Sequence, residues 1–286
     1  MNIYEETKFL IKKYNISANK DLGQNFLIDE NVIENIIKSA EISKNDLIIE
    51  IGPGLGTLTS KLVEKAGKVI AIELDKKMLQ ILNDRFALYE NFKVINEDVL
   101  KVDLNNLIKN ENTQNYTVKI VANLPYYITT PIIMKLLEEK LNINSITVMI
   151  QKEVADRLTE IPGGKNTGAI TYCVYYYAEA KEVLTVQNTS FVPEPKVNSE
   201  VIKLNIRNQP PVKLENEQLF FKIIKASFMQ RRKTLLNGLS NSGIDSKEKI
   251  KQILQDLNLN ENIRGESLTI EQFAQIANKL CNKTYN

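Results

Sequence analysis

The sequence of 286 residues contains no histidine and no tryptophan, and only two cysteines. Without histidine, neither a Ser-His-Asp triad nor imidazole acid-base chemistry is available. Cys173 and Cys281 stand far apart and outside any Cys-x-x-Cys spacing. No disulfide framework and no zinc set is therefore expected, and no other metal is implied. Long apolar runs are also lacking: no stretch approaches the ~18 apolar residues of a membrane span, and residues 1–14 have no signal-peptide core. The expected setting is cytoplasmic and reducing, with no membrane partner. A surplus of one charge is nearly absent as well, with 37 Lys+Arg against 35 Asp+Glu. That balance excludes a generally basic nucleic-acid coat but leaves room for a local patch. Such a patch belongs in the C-terminal quarter, where residues 208–286 hold 12 Lys/Arg against 8 Asp/Glu.

What is present is an alternation of apolar runs and helical periods. Residues 3–14 suit a short helix, and Asp29 or Glu30 caps a second one running through Ile37. Residues 46–51 read as a strand, followed by the turn Gly52-Pro53-Gly54-Leu55-Gly56 and a helix over 57–66. Strand, glycine turn and helix in that order bring backbone N–H groups and a helix N-terminus to a nucleotide-like ligand. The spacing is Glu50-x-Gly52-x-Gly54-x-Gly56, not the G-x-G-x-x-G of NAD folds. A carboxylate before the first glycine opposes a pyrophosphate and suits a cation. S-adenosylmethionine, with its sulfonium and ammonium, is favoured over NAD; a ligand-free structural turn is the remaining alternative.

Further strands are expected at 68–72, 92–96, 116–122 and 145–150, giving a parallel, doubly wound sheet with ligands at its C-terminal edge. Glu73 ends one strand where a ribose would lie. Asp98 follows another, either accepting from an adenine amino group or capping a turn. Asn123-Leu124-Pro125-Tyr126 follows a third. It combines an acceptor amide, a free carbonyl, a stiffened turn and an aromatic ring, a set that suits a flat exocyclic amine as well as an ordinary turn. Residues 161–168 read either as a mobile loop over a site or as a plain connection. Paired strands are expected at 182–187 and 200–206, joined by a Pro-braced loop in which Phe191 serves as a stacking ring or as core. After a linker at 208–215 the pattern is helical, and Gln230-Arg231-Arg232-Lys233 gathers three cations that suit phosphate docking.

Five segments in this order carry a family resemblance: Leu22-Gly-Gln-Asn-Phe-Leu27, Glu50-Ile-Gly-Pro-Gly-Leu-Gly56, Asn123-Leu-Pro-Tyr-Tyr-Ile-Thr-Thr-Pro131, Phe191-Val-Pro-Glu-Pro-Lys-Val197 and Phe228-Met-Gln-Arg-Arg-Lys-Thr-Leu235. The chain resembles the small-subunit ribosomal RNA adenine dimethyltransferases, the KsgA family, over nearly its full length. The resemblance implies an α/β, Rossmann-like class I methyltransferase sheet with its last strand antiparallel, spanning residues 1–207, and a small all-helical domain that docks rRNA over 208–286. It implies transfer of methyl groups from S-adenosylmethionine to N6 of two adjacent adenosines in the terminal hairpin of 16S rRNA, within the immature small subunit. A monomer is expected.

Donor contacts carried over by the resemblance are Asn25, Leu27, Gly52, Gly54, Glu73, Asp98 and Asn123. The acceptor set is Asn123, Leu124, Pro125, Tyr126 and Phe191, with Arg231, Arg232 and Lys233 on the RNA. N6 of adenine is a poor nucleophile because its lone pair is delocalised into the ring. The Asn123 side-chain oxygen and the Leu124 carbonyl are suited to accept its two hydrogens, while Tyr126 and Phe191 stack on an extruded base. Two alternatives stay open: a large-subunit rRNA adenine methyltransferase of the antibiotic-resistance type, and an rRNA-binding assembly factor with vestigial activity.

Overall fold

The computed structural model describes residues 2–16, 19, 23–230 and 232–282. In chain order the elements are α1 (Ile3–Lys13), β1 (Phe26–Leu27), α2 (Glu30–Ser39), β2 (Asp46–Ile51), α3 (Thr57–Lys65), β3 (Lys68–Glu73), α4 (Lys76–Phe86), β4 (Phe92–Asn96) and α5 (Leu104–Glu111). Then follow β5 (Thr117–Asn123), α6 (Thr129–Glu138), β6 (Ser145–Gln151), α7 (Lys152–Thr159), α8 (Ala169–Tyr177), β7 (Ala178–Val186), β8 (Phe191–Val192) and β9 (Ser199–Ile206). Four helices complete the chain: α9 (Glu217–Met229), α10 (Leu235–Asn241), α11 (Lys247–Asp256) and α12 (Ile270–Asn282).

The main sheet has seven strands in the order β4-β3-β2-β5-β6-β9-β7. Strands β4, β3, β2, β5 and β6 pair in parallel, and β9 runs antiparallel to β6, as the resemblance implies. Strands β2, β3, β5 and β6 are buried along almost their whole length, whereas the edge strand β4 is only partly buried. On one face, Ile33 and Ile36 of α2 and Leu58 and Leu62 of α3 pack against Ile48, Val121 and Met149. Asp29 fixes the start of α2 by accepting from the backbone N–H groups of Asn31 and Val32. Since β3 and β5 lie on opposite sides of β2, the chain order reverses at the end of β2. That is where open α/β sheets place their ligands.

The chain separates into two units: residues 1–155 with 179–206, and residues 156–178 with 207–286. This differs from a single cut after residue 207, and the cause lies in α8. Its Ala-Ile-Thr-Tyr-Cys-Val-Tyr-Tyr-Tyr sequence is too aromatic for a surface. Tyr172 is fully buried, stands edge-on to Phe273 at 4.9 Å between ring centroids, and donates its hydroxyl to the Leu268 carbonyl at 2.6 Å. Tyr177 donates to Glu217 Oε1 at 2.6 Å. The aromatic burial recruits α8 into the helical unit, and the chain then returns through β7 to the sheet. The 161–168 loop belongs to the helical unit too. It is tied by Thr167 Oγ1 to the Gly164 carbonyl at 2.7 Å, and Gly163 stands close against Leu268.

Candidate active site

Four strand ends, those of β2, β3, β4 and β5, and one crossing segment build a cleft at the C-terminal edge of the sheet. Gly52, Gly54 and Gly56, which follow β2, all have positive φ. At Gly56 the requirement is steric as well as conformational, because a Cβ there would lie 2.6 Å from the Phe86 ring. The turn thus packs against α4, and its glycine N–H groups are used internally instead of being left for a ligand: Gly52 N–H donates to the Ile72 carbonyl at 3.0 Å and Gly56 N–H to the Pro53 carbonyl at 3.0 Å. Gly54 N–H donates to Glu73 Oε2 at 3.1 Å, and Asp75 N–H to Glu73 Oε1 at 2.8 Å. Burial raises the Glu73 carboxyl above its ordinary range even though these backbone donors pull it down. Glu50, in the last turn of β2, is 1% exposed and accepts from Thr59 Oγ1 at 2.6 Å. Burial pushes its pKa up to about 8; the Thr59 hydroxyl partly offsets this and the nearby Glu73 adds to it.

A segment from Gly23 to Leu27 crosses this edge. Gln24 Nε2 donates to Asp75 Oδ2 at 2.9 Å, and the Asn25 carbonyl accepts from Asn123 Nδ2 at 3.4 Å. Strand β1 then pairs antiparallel with β8, setting Leu27 opposite Phe191. Asn25, Leu27, Gly52, Gly54, Glu73, Asp98, Asn123, Leu124, Pro125, Tyr126 and Phe191 all line the one cleft. Leu22, which opens the first motif, lies outside the described residues.

Four acidic side chains line the cleft, Glu50, Glu73, Glu97 and Asp98, and among its described lining residues there is no Lys or Arg. Such a lining suits a cationic, polyhydroxylated ligand and opposes a phosphate-bearing one. Asp98 also caps its own turn, with Oδ1 accepting from Leu100 N–H at 3.0 Å. Among the described residues, Asn123 Oδ1 and the Leu124 carbonyl have no hydrogen-bond donor. The neighbouring Pro125 carbonyl is used internally, accepting from Ile128 N–H at 3.2 Å and Thr129 Oγ1 at 3.0 Å. Pro125 therefore fixes the turn into α6, and the two acceptors without donors among the described residues sit on adjacent residues of the cleft lining, the half-buried Asn123 and the buried Leu124. Tyr126 is half-buried, and its hydroxyl meets Ser199 Oγ at 2.8 Å. Burial raises its pKa, and the Ser199 bond opposes that rise. Phe191 is 2% exposed and packs in the same apolar cluster as Leu27. It is core and cleft wall at once.

Arg232 and Lys233 are exposed in the turn between α9 and α10, and among the described residues neither has a carboxylate partner. Arg231 lies outside the described residues. Among the described residues no group of three or more His, Cys, Asp or Glu could hold a metal ion, and no helix is long and apolar enough to cross a membrane. Several cleft residues escape the motif reading. Leu74, 49% exposed beside Glu73, lines the cleft, as do Val99 and Gln24. An apolar residue immediately after a strand-end carboxylate is the signal that marks Leu74. Ser199 has no comparable signal.

The profile of the family described as "Ribosomal RNA adenine dimethylase" matches residues 15–281. The chain is 49% identical to a ribosomal RNA small subunit methyltransferase A of Alkaliphilus oremlandii, over 98% of this chain and 97% of that protein. It is 51% identical to the protein of the same name from Lachnoclostridium phytofermentans, over 96% and 95%. Among solved structures, a dimethyladenosine transferase from Plasmodium falciparum superposes with a TM-score of 0.73 at 25% identity, covering 88% of this chain and 95% of that one. The 23S rRNA methyltransferase ErmE superposes with a TM-score of 0.67 at 23% identity, over 90% and 100%, and shares the fold.

Proposed function

The chain belongs to the ribosomal RNA adenine dimethylase family, and on that premise we propose how its cleft performs the family's reaction and on which adenosines. The protein is an S-adenosylmethionine-dependent methyltransferase that dimethylates adenine in small-subunit rRNA. The proposed targets are two adjacent adenosines in the terminal hairpin of 16S rRNA, modified during small-subunit assembly in the cytoplasm by a monomeric enzyme.

When bound, S-adenosylmethionine supplies an electrophilic methyl group on a positively charged sulfur. The acid-lined cleft fits it. In this reading Gly52 and Gly54 give the donor a close backbone surface, and Glu73 receives ribose hydroxyls. Asp98 accepts from the adenine amino group, while Asn25 and Leu27 close the site from the crossing segment.

At the other end, Asn123 Oδ1 and the Leu124 carbonyl accept the two hydrogens of N6 in the first transfer, and one of them accepts the remaining hydrogen in the second; each transfer releases one N6 proton to water. These hydrogen bonds direct the nitrogen lone pair out of conjugation and toward the methyl. Orientation, more than proton abstraction, lowers the barrier. Tyr126 stacks on the extruded base, a contact worth roughly 1–3 kcal/mol, and Phe191 backs it as a fixed wall. Arg231, Arg232 and Lys233 engage rRNA phosphates.

The observation that carries this reading is the pair of acceptors, Asn123 Oδ1 and the Leu124 carbonyl, without donors among the described residues, on residues that line an acidic cleft. Offering methyl-labelled S-adenosylmethionine separately to unmethylated small and large ribosomal subunits tests it. N6,N6-dimethyladenosine is expected in small-subunit rRNA only, at two neighbouring positions. Label in the large subunit alone would replace this reading with the resistance-type activity.

A further inference from the structure

Tyr126 is delivered by the turn after β5, yet its ring is anchored on a different strand. Its hydroxyl lies 2.8 Å from Ser199 Oγ. Ser199 has no solvent exposure and opens β9 opposite Gln151 of β6. Since β6 lies between β5 and β9, the phenol spans the end of one strand to reach the next. A tyrosine held at both its Cα and its hydroxyl cannot swing about χ1 without breaking a bond whose serine end is sealed from water.

The segment that ends in Ser199 begins with Phe191 and is itself braced. The Asn198 carbonyl accepts from Lys152 N–H at 3.1 Å, Asn198 Oδ1 from Asn188 N–H at 3.1 Å, and the Pro195 carbonyl from Asn188 Nδ2 at 3.2 Å. One braced segment therefore fixes the Phe191 wall at its start and the Tyr126 ring at its end. No other polar group of the described residues bonds to either hydroxyl. The contact lies outside the sheet ladder; it satisfies the buried Ser199 hydroxyl and at the same time ties the Tyr126 ring to β9.

We propose that Ser199 is a positioning residue for the acceptor base: through its hydrogen bond it holds Tyr126 at the angle at which the ring face meets an extruded adenine. Ser199 touches neither donor nor acceptor. The inference rests on the adenine-methylation reading above and adds a residue to it.

The test is a double-mutant cycle of Ser199→Ala and Tyr126→Phe. It is read by single-turnover methylation of unmethylated small subunits, by calorimetric affinity for S-adenosylmethionine, and by the emission of 2-aminopurine placed at a target adenosine. Each single variant is expected to lose about tenfold in kcat/KM for RNA, and the double variant no more than either, because one hydrogen bond is removed in all three. Donor affinity should stay within about twofold of wild type, and 2-aminopurine should be less quenched in every variant. Multiplicative losses in the double variant, a single variant with wild-type turnover, or donor affinity falling in step with turnover would each overturn the role of Ser199. If Ser199→Ala does not fold, Tyr126→Phe decides through the same emission, since its site is half-exposed. Wild-type protein that leaves small subunits unmodified would overturn the functional reading itself, whatever the cycle shows.

Discussion

The donor end and the acceptor end of the cleft are built in opposite ways. At the donor end most polar groups already have internal partners: Glu73 holds two backbone N–H groups, Glu50 holds Thr59, Gln24 holds Asp75, and Asp98 caps its own turn. At the acceptor end Asn123 Oδ1 and the Leu124 carbonyl have no donor among the described residues, and Tyr127 is 56% exposed beside them. A small ligand that recurs at every turnover rewards a prebuilt surface. A base that must first be extruded from its stack requires open acceptors and a rim. The difference teaches that polar groups at the proposed donor end are held in advance, whereas at the proposed acceptor end only the Tyr126 ring is anchored beforehand and the two oxygens await the substrate's hydrogens.

Asn123→Ala sharpens this comparison most. It removes one of the two proposed N6 acceptors and, among the described residues, a single long side-chain hydrogen bond, to the Asn25 carbonyl. Turnover is expected to fall about a hundredfold or more, with affinity for S-adenosylmethionine within about threefold of wild type. Single-turnover methylation and calorimetry on the same preparation check both halves. A parallel loss of donor affinity would mean that the two ends work as one site.

The donor end was legible in the sequence because its chemistry is written in short range. Glycines at 52, 54 and 56 and acids at 50, 73 and 98 stand at the ends of strands whose apolar runs announce them. The acceptor tetrapeptide was legible for the same reason. What escaped depends on distant pairing. Ser199 meets Tyr126 across 73 residues, and Gln24 meets Asp75 across 51. The two-residue strands β1 and β8, too short to give a period, pair only because the fold brings them together. Residues 169–177 form α8, and no local pattern says that its tyrosines pack with Phe220 and Phe273. The sequence allows Phe191 to be a stacking ring or core; its side chain packs in the core and walls the cleft.

A second test extends the acceptor side to the RNA. Replacing Arg232 and Lys233 by Ala removes two exposed cations without a carboxylate partner among the described residues. Affinity for unmethylated small subunits is expected to fall about tenfold at physiological salt, and the slope of log K against log salt to shrink by about 1.5. Donor affinity should not move. An unchanged salt slope would return the cluster to an ordinary solvated face.

The smallest expected effect belongs to the donor end and turns on Glu50. Two groups face its carboxyl, Thr59 of α3, which donates to it, and Glu73 of β3, which repels its charge. With a pKa of about 8 against an ordinary 4.5, Glu50 is mostly neutral in the free protein at pH 7. The raised value adds stability that is fully present below pH 4.5 and is lost as pH rises through about 8. A cationic donor favours the carboxylate, so its binding releases a proton. Affinity for S-adenosylmethionine should therefore strengthen severalfold between pH 7 and pH 8 and level off above it, by no more than about tenfold per pH unit for one proton. Calorimetry in buffers of different ionisation enthalpy should count nearly one proton released at pH 7 and almost none at pH 9. The demethylated product, whose sulfur is uncharged, should show a shallower rise, and Glu50→Gln should flatten both. Equal pH dependence for donor and product would mean that Glu50 senses the cleft's burial and not the donor's charge, leaving its bond to Thr59 as its whole role.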